Sequence, residues 1–433
     1  MQAKKSILVL LVLCVIVFGG SYLPESNGDK NFVSIELSYK GCVWKWSDSD
    51  NPKTNIFTNY AKANKNKRLG TNVERSDLIK RIHKIGFSYE DAFDYTFFGI
   101  RELINDMCKV IEKEMVNASV EFKPNSPPYF FYGSEQIGLK VDKEKLYQNI
   151  LSSLKQTAKV RVEVLPEKLL PTVTKEELKN RTQLKSRFET YYASSPENRK
   201  SNIELAVKKF NGLIMMQDEE CSFNKTTGRR TEQNGYKQAN IIVNNEYTQS
   251  LGGGVCQVST TIYNALLLAG VEVLESHPHS LASGYVMSGF DAMVNFGSSD
   301  LRWKNTTGEP IYIRTYANGE TLGVEIYGIK NNFQIKRNSQ VLKTILPPEE
   351  KVIEDSEKYK DEVEYKTRPK NGSVVKSYLE FYNGENFVKR KLLRTQTYKP
   401  MQGVKIVGTK EKEPEFFGQP FYEEFNQEIF ENM

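Results

Sequence analysis

Two kinds of side chain able to do covalent chemistry at neutral pH fall close together in this sequence. The stretch LGGGVCQVSTTIYNALLLAG, residues 251–270, runs three glycines into Cys256, and two of the chain's three histidines, His277 and His279, follow shortly after. A thiol attacks as the thiolate, and a histidine within reach takes its proton and returns it to a leaving amine. Gly252, Gly253 and Gly254 carry no Cβ, so the backbone before Cys256 can turn sharply and approach a substrate closely. After the cysteine, Val258, Ile262, Ala265, Leu266 and Ala269 recur at helical spacing, and Gly270 is a natural stop. Cys256 therefore sits at or just before a helix N-terminus, where free N–H groups and the helix dipole favour a thiolate and can hold an oxyanion.

Simple chain geometry permits a Cys–His pair. A helix over 258–269 carries the chain roughly 18 Å away. VEVLESH, read as a strand, returns it by roughly 23 Å. His277 and His279 then arrive near the level of Cys256, with Pro278 holding the backbone extended so that both share one face. Either histidine can be the base on this reading. Asp291 and Asp300 are candidates to orient it, or each is a turn residue. Ser259, Thr260 and Thr261 read as capping groups rather than nucleophiles. The plain alternative is a buried, inert thiol, the commoner fate of a lone cysteine, and the glycines and the histidine pair weigh against it. No cysteine or carboxylate at metal-ligand spacing completes a set with His-Pro-His, so no metal is expected.

A chain of 433 residues is too long for one ordinary core and implies two or three domains. Net charge is +6, without a dense basic stripe interleaved with aromatics, so nucleic acid is not an expected partner. The same charge suits an anionic membrane surface or cell wall. At the start, Lys4 and Lys5 precede an apolar run over 7–20, short for a spanning helix and right for a signal h-region. No A-x-A-like site follows, so a cleaved signal and a membrane anchor both remain open. Either places the body outside the cytoplasm, in the cell envelope. Cys14 belongs to that segment. Cys42, Cys108, Cys221 and Cys256 form no C-x-x-C and suggest no disulfide framework.

The chain divides as a signal or anchor at 1–23, a spacer or irregular segment at 24–73, and a small α+β unit at 74–172. A polar linker at 173–202 leads to a catalytic domain at 203–330, a small β-domain at 346–410 and an acidic tail at 411–433. Two helices are expected over ERSDLIKRIHKIG, which holds His83, and FSYEDAFDYTFFGIRELINDMCKVIEKEM. In the second, Phe93, Phe97, Ile100, Ile104, Cys108 and Ile111 share a face, making Cys108 a core thiol. Asp142 reads as the N-cap of a helix over VDKEKLYQNILSSLKQ, and KVRVEVLP as a half-buried strand. Asn318-Gly319 and Asn383-Gly384 read as hairpin turns. The fold class is multi-domain α+β, with a β-rich catalytic domain holding a buried helix after the cysteine, flanked by a small α+β and a small all-β domain.

The segments CSFNKTTGRRTEQNGYKQANIIVNNEY, GGGVCQVSTTIYNALLLAGVEVLESHPHS and GFDAMVNFGSSDLRWKNTTGEPIYI stand in the order found in the VanW domain of Gram-positive envelope proteins, and residues 203–330 closely resemble that family. Residues 74–172 resemble the peptidoglycan-binding-like domain that often precedes it. Residues 346–410 resemble a small extracellular β-domain named for its glycines. The resemblance implies an L,D-transpeptidase that cross-links third-position residues of peptidoglycan stem peptides through a cysteine thioacyl-enzyme, without a cofactor. Stem peptides and glycan strands are the implied partners, with the membrane through the N-terminal segment. An L,D-carboxypeptidase and a non-catalytic wall-binding scaffold linked to glycopeptide resistance are the alternatives. Carried over, Cys256 is the nucleophile and His279 the preferred base, ahead of His277. Arg302 is a candidate for a substrate carboxylate, and Gly254, Gln257 and Tyr285 line the site. Ser276 and Phe290 stand where many relatives carry arginine, which bears on carboxylate recognition. Cys221 is unusual at its position and a candidate to pair with Cys256 under oxidation.

Overall fold

The computed structural model describes residues 34–47, 99–154, 159–243 and 246–412. They fall into two compact units, Met1–Glu121 with Tyr132–Leu178, and Phe122–Phe131 with Lys179–Met433. The export segment with Cys14, the helix expected over 74–86 with His83, the start of the next helix with Phe93 and Phe97, and the tail from 413 lie outside the described residues. Among the described residues no helix is long and apolar enough to cross a membrane.

In the first unit, β1 (Ser34–Tyr39) and β2 (Cys42–Ser47) form an antiparallel hairpin, followed by α1 (Ile100–Ile111), α2 (Lys143–Leu154) and β3 (Lys159–Glu163). β3 lies parallel to β1. Alternation puts Ile35 and Leu37 with Val160 and Val162 in one buried cluster, shared with the apolar face of α1 and with Ile150. Cys108 is fully buried there, and burial pushes its thiol up. Asp142 caps α2, accepting from the Lys145 N–H at 2.9 Å. Residues 34–47, expected within a spacer, thus contribute two strands. Their period-2 pattern is short and sits in an Asn- and Lys-rich surrounding that hides it.

The second unit begins with β4 (Gln183–Tyr191), α3 (Glu197–Lys208), β5 (Leu213–Met215) and β6 (Glu220–Ser222). Then come α4 (Val255–Ala269), β7 (Glu272–Glu275), β8 (Arg302–Lys304), β9 (Ile311–Ala317) and β10 (Thr321–Gly328). One antiparallel sheet has the order β4-β10-β9-β5, and a smaller one the order β6-β8-β7. Asn318-Gly319 turns the chain between β9 and β10, as expected. In α4 every residue except Cys256 and Leu268 is buried. Its Val258, Ile262, Ala265 and Leu266 share one core with Phe210, Trp303, Ile313, Val324 and Ile326.

The segment expected as a linker at 173–202 is instead divided between the units: 173–178 belong to the first and 179–202 to this one. β4 is an edge strand, and Ile203 and Ala206 of α3 enter the core. Hydropathy conceals β4 because its inward positions are polar: Ser186 donates to the Ala265 carbonyl at 2.8 Å, and Thr190 meets the Thr261 hydroxyl at 2.8 Å. A strand whose inner face hydrogen-bonds a buried helix needs no apolar alternation.

The chain continues through β11 (Gln334–Ile345), β12 (Lys351–Tyr359), β13 (Val363–Thr367), β14 (Gly372–Asn383), β15 (Asn386–Tyr398) and β16 (Val404–Lys410). They form two sheets, β11-β14-β15 and β12-β16-β13, with the β14–β15 turn at Asn383-Gly384 as expected. β11 starts well before residue 346. Leu379 joins the core around α4, and Ile335, Phe381 and Leu393 pack against it, so the β-domain and the preceding domain form one unit.

Ile262 is fully buried at the centre of that core. Ile262→Ala should cost about 2–5 kcal/mol of stability, read as a lowered urea midpoint with the denaturant slope unchanged.

Candidate active site

Cys256 stands in the first turn of α4, two residues after the N-cap Gly254. Two of the glycines before it have defined tasks. Gly254 has φ 105°, and a Cβ there would meet the Arg199 side chain and Ile203 at 3.0 Å each. Gly252 has φ 82°, and a Cβ would fall 2.7 Å from Cγ of Arg230. The close approach expected of these glycines is therefore to two arginine side chains of the protein itself. The N–H groups of Val255 and Gln257 turn inward onto the carbonyls of Gly252 and Gly254, at 3.1 and 3.0 Å.

The polar residues of α4 build the rest. Ser259 donates to the Ala292 carbonyl at 2.6 Å, and Thr260 accepts from the Ala292 N–H at 2.9 Å. Asn264 donates to the Phe290 carbonyl at 2.8 Å. Ser259 and Thr260 are not caps, then; with Asn264 they fasten the main chain of 290–292 along the helix. This places Asp291, 1% exposed, against the loop that carries His279. Asp291 Oδ2 accepts from the His279 main-chain N–H at 2.6 Å and lies 2.7 Å from His279 Nδ1. His279 lies near enough to Cys256 for the imidazole and the thiol to bear on each other's protonation. The sulfur also lies 3.4 Å from the Val294 carbonyl.

Burial by itself would push the Cys256 thiol up. The His279 hydrogen bond and charge, the main-chain contact at Val294 and the Arg230 charge outweigh it and hold the thiol below its ordinary 9.0. Burial would likewise lower His279, but the Asp291 and Cys256 hydrogen bonds raise it. Asp291 is held below its usual range: burial raises it, and the imidazole and the Tyr398 hydroxyl overcome that. The three shifts describe one preference, for thiolate, imidazolium and carboxylate together. A thiol, an imidazole and a carboxylate in this order can serve chemically as nucleophile, base and orienting group of a relay.

Around the sulfur, Tyr285 is half-buried, and burial and the Cys256 charge raise its hydroxyl. Arg199 and Arg230 are partly buried, and burial lowers both. Arg199 donates to Ser195 and to Gln257 Oε1, at 2.6 and 2.8 Å. Arg230 donates to the Gly228 carbonyl and to Asn224, at 3.1 and 2.7 Å. Among the described residues neither guanidinium forms a salt bridge. Neither arginine stood out in the sequence. TTGRR was visible, but only the folded chain brings Arg230 to Gly252.

Several expected residues fall elsewhere. His277 pairs with Glu275 at 2.9 Å and bridges to Met293, so the thiol's partner is His279 alone of the two. Asp300 accepts from Ser222 at 2.5 Å and from the Asn224 N–H at 2.9 Å, holding the start of a short helix rather than a histidine. Arg302 pairs with Glu220 at 2.9 Å, at an exposed position of β8. Gln257 is buried, its amide donating to Thr190 and the Tyr191 carbonyl, so it is a strut under Arg199 rather than lining. Phe290 is a core residue beneath the Arg337 guanidinium, 5.2 Å from its ring centre. Cys221 and Cys256 are both free, and Cys221 Sγ lies 3.6 Å from the Thr226 hydroxyl. Among the described residues no three His, Cys, Asp or Glu side chains cluster as metal ligands would.

Residues 198–327 match the VanW like protein family, and residues 338–410 match the G5 domain. The chain thus carries a VanW-like domain followed by a G5 domain. It is 33% identical over 193 residues to the uncharacterized protein YoaR of Bacillus subtilis, covering 44% of this chain and 64% of that one. It is 28% identical over 116 residues to the vancomycin B-type resistance protein VanW of Enterococcus faecalis, covering 26% and 42%. The chain therefore spans less than two thirds of the length of either curated relative. Among solved structures, the IgA1 protease G5 domain is similar at 23% identity with a TM-score of 0.13, covering 19% of this chain and 96% of that one.

Because the depressed Cys256 titration leaves thiolate below pH 9.0 and loses it as pH falls further, iodoacetamide alkylation at Cys256 should show its inflection below 9.0. His279→Gln should move the inflection to 9.0 or above, since burial is then less opposed. Site-resolved peptide mass spectrometry follows Cys256 apart from the exposed Cys42. A wild-type inflection at or above 9.0 would sink the relay.

Proposed function

We propose that the VanW-like domain is a cysteine L,D-transpeptidase of the cell envelope, joining third-position residues of peptidoglycan stem peptides. The observation that carries this reading is Cys256 on the first turn of a buried helix, beside a His279 that Asp291 holds. The Enterococcus relative's vancomycin-resistance name and the G5 domain support a wall substrate and a place outside the cytoplasm. Arg230 supports an anionic stem: a partly buried guanidinium without a carboxylate of its own suits a substrate carboxylate.

The thiolate of Cys256 attacks the carbonyl of the third stem residue. Its own main-chain N–H, near the positive end of the α4 dipole, steadies the oxyanion. The His279 imidazolium gives its proton to the departing amine of D-alanine as the C–N bond breaks, leaving a thioester. The side-chain amine of a diamino acid on a second stem then attacks, His279 takes the proton, and the thiolate is released. One amide bond is exchanged for another, so no outside energy source or redox partner is needed. Asp291 keeps the imidazole oriented through both proton transfers.

Incubated with disaccharide-tetrapeptide, the wild type should release D-alanine and form dimeric muropeptide, while Cys256→Ala should lose at least about a thousand-fold in rate with its fold intact. Shortened monomers without dimers would make water the acceptor and the site an L,D-carboxypeptidase. Full activity in Cys256→Ala would end the cysteine mechanism. Bound stems without turnover in the wild type would leave a wall-binding scaffold.

Arg230→Gln should raise KM for the stem about 10–100-fold, the worth of one charge-assisted hydrogen-bonded contact, with a smaller effect on kcat. An unchanged KM would remove Arg230 from substrate binding.

A further inference from the structure

The relay does not end at Asp291. On the far side of the carboxylate lies the edge strand β15 of the C-terminal β-domain. Tyr398, 1% exposed at the end of that strand, donates its hydroxyl to Asp291 Oδ1 at 2.5 Å and accepts from the Gly289 N–H at 2.6 Å. Arg394, four residues earlier and 15% exposed, donates to Asp291 Oδ1 at 3.1 Å, to the Asp291 carbonyl at 2.5 Å and to the Gly289 carbonyl at 3.2 Å. The Lys399 N–H donates to the Ser280 carbonyl at 2.8 Å. β15 and the residue after it therefore grip both segments of the relay, the one carrying His279 and the one carrying Asp291.

We propose that the C-terminal β-domain is a working part of the active site, with Tyr398 and Arg394 as positioning residues that fix the charge and direction of Asp291 and so present His279 to Cys256. This rests on the relay of the proposed function. The physical need is plain. A carboxylate with two buried oxygens has capacity for several donors, and His279 occupies only Oδ2. Without Tyr398 and Arg394, Oδ1 would be left buried and unpaired, the proton would be held more easily, and the pull on the imidazole would weaken. The groups that bear on the relay from all sides are Arg199, Arg230 and Tyr285 around the sulfur, and Tyr263, Arg394 and Tyr398 around the carboxylate. Of these, only Arg394 and Tyr398 come from the β-domain.

The test uses the full chain and no substrate, so that it stands apart from the identity of the reaction. Cys256 alkylation by iodoacetamide is followed against pH in the wild type and in Tyr398→Phe, which keeps the ring and loses the hydroxyl. The expected result is an inflection moved to higher pH, with alkylation at pH 7 about ten-fold slower, the effect of one pKa unit. Tyr382→Phe is the control: it removes a hydroxyl donated to Glu380 at 3.0 Å on the neighbouring strand β14, and should leave the profile in place. Arg394→Lys keeps the charge but cannot span the carboxylate and both carbonyls, and should move the profile in the same direction as Tyr398→Phe. It serves where Tyr398→Phe is too unstable to measure. A profile moved by His279→Gln but by neither β-domain variant would overturn the proposal and leave the relay standing. A profile moved equally by Tyr382→Phe would reduce the effect to general stability and also overturn it. A profile indifferent to His279→Gln would take down the relay, and this inference with it.

Discussion

One buried carboxylate organises this part of the molecule. Asp291 is almost wholly shielded from water, and a charge in that position persists only where donors surround it. Its donors come from stretches far apart in the chain: the main chain and ring of His279, the hydroxyl of Tyr398 and the guanidinium of Arg394. Satisfying that one group draws together the loop after β7, the loop before β8 and the last strand of the β11-β14-β15 sheet. The position of His279 is a consequence of that convergence.

α4 meets the same demand from the other side. A helix buried all round is ordinarily apolar all round. This one carries a strip of Gln257, Ser259, Thr260, Thr261 and Asn264, and each side chain has a partner. Part of the strip fastens the main chain of 290–292, and part reaches β4 through Thr190. The helix is thus core on its apolar sides and a mould for an irregular loop on its polar side. An irregular loop in a core leaves main-chain polar groups that cost free energy unless paired, and the strip pairs them.

The charge balance near the sulfur follows from the same packing. Two glycines with positive φ make room for the side chains of Arg199 and Arg230. Both guanidinium groups are partly buried, bonded to neutral groups and close enough for their charge to be felt at Cys256. The site therefore holds more positive charge than its own carboxylates neutralise nearby, which suits both a thiolate and an anionic substrate.

The sequence by itself determined the local facts. Glycines before Cys256, the helical spacing after it, the stop at Gly270 and the two Asn-Gly turns each follow from a few neighbouring residues, and the structure contains all of them. It also narrowed the candidate base to two histidines and the candidate orienting group to two aspartates. Choosing between them lay beyond it, because the choice depends on hydrogen bonds spanning long stretches of chain: Glu275 takes His277, Ser222 takes Asp300, and Tyr398 and Arg394 hold Asp291 for His279. β4 was hidden for the same reason, since its inward Ser186 and Thr190 look exposed until their partners on α4 are known. Period and composition record whether a side chain is apolar. Whether a polar side chain is paired, and by what, was decided only when the tertiary structure brought the distant donors and acceptors together.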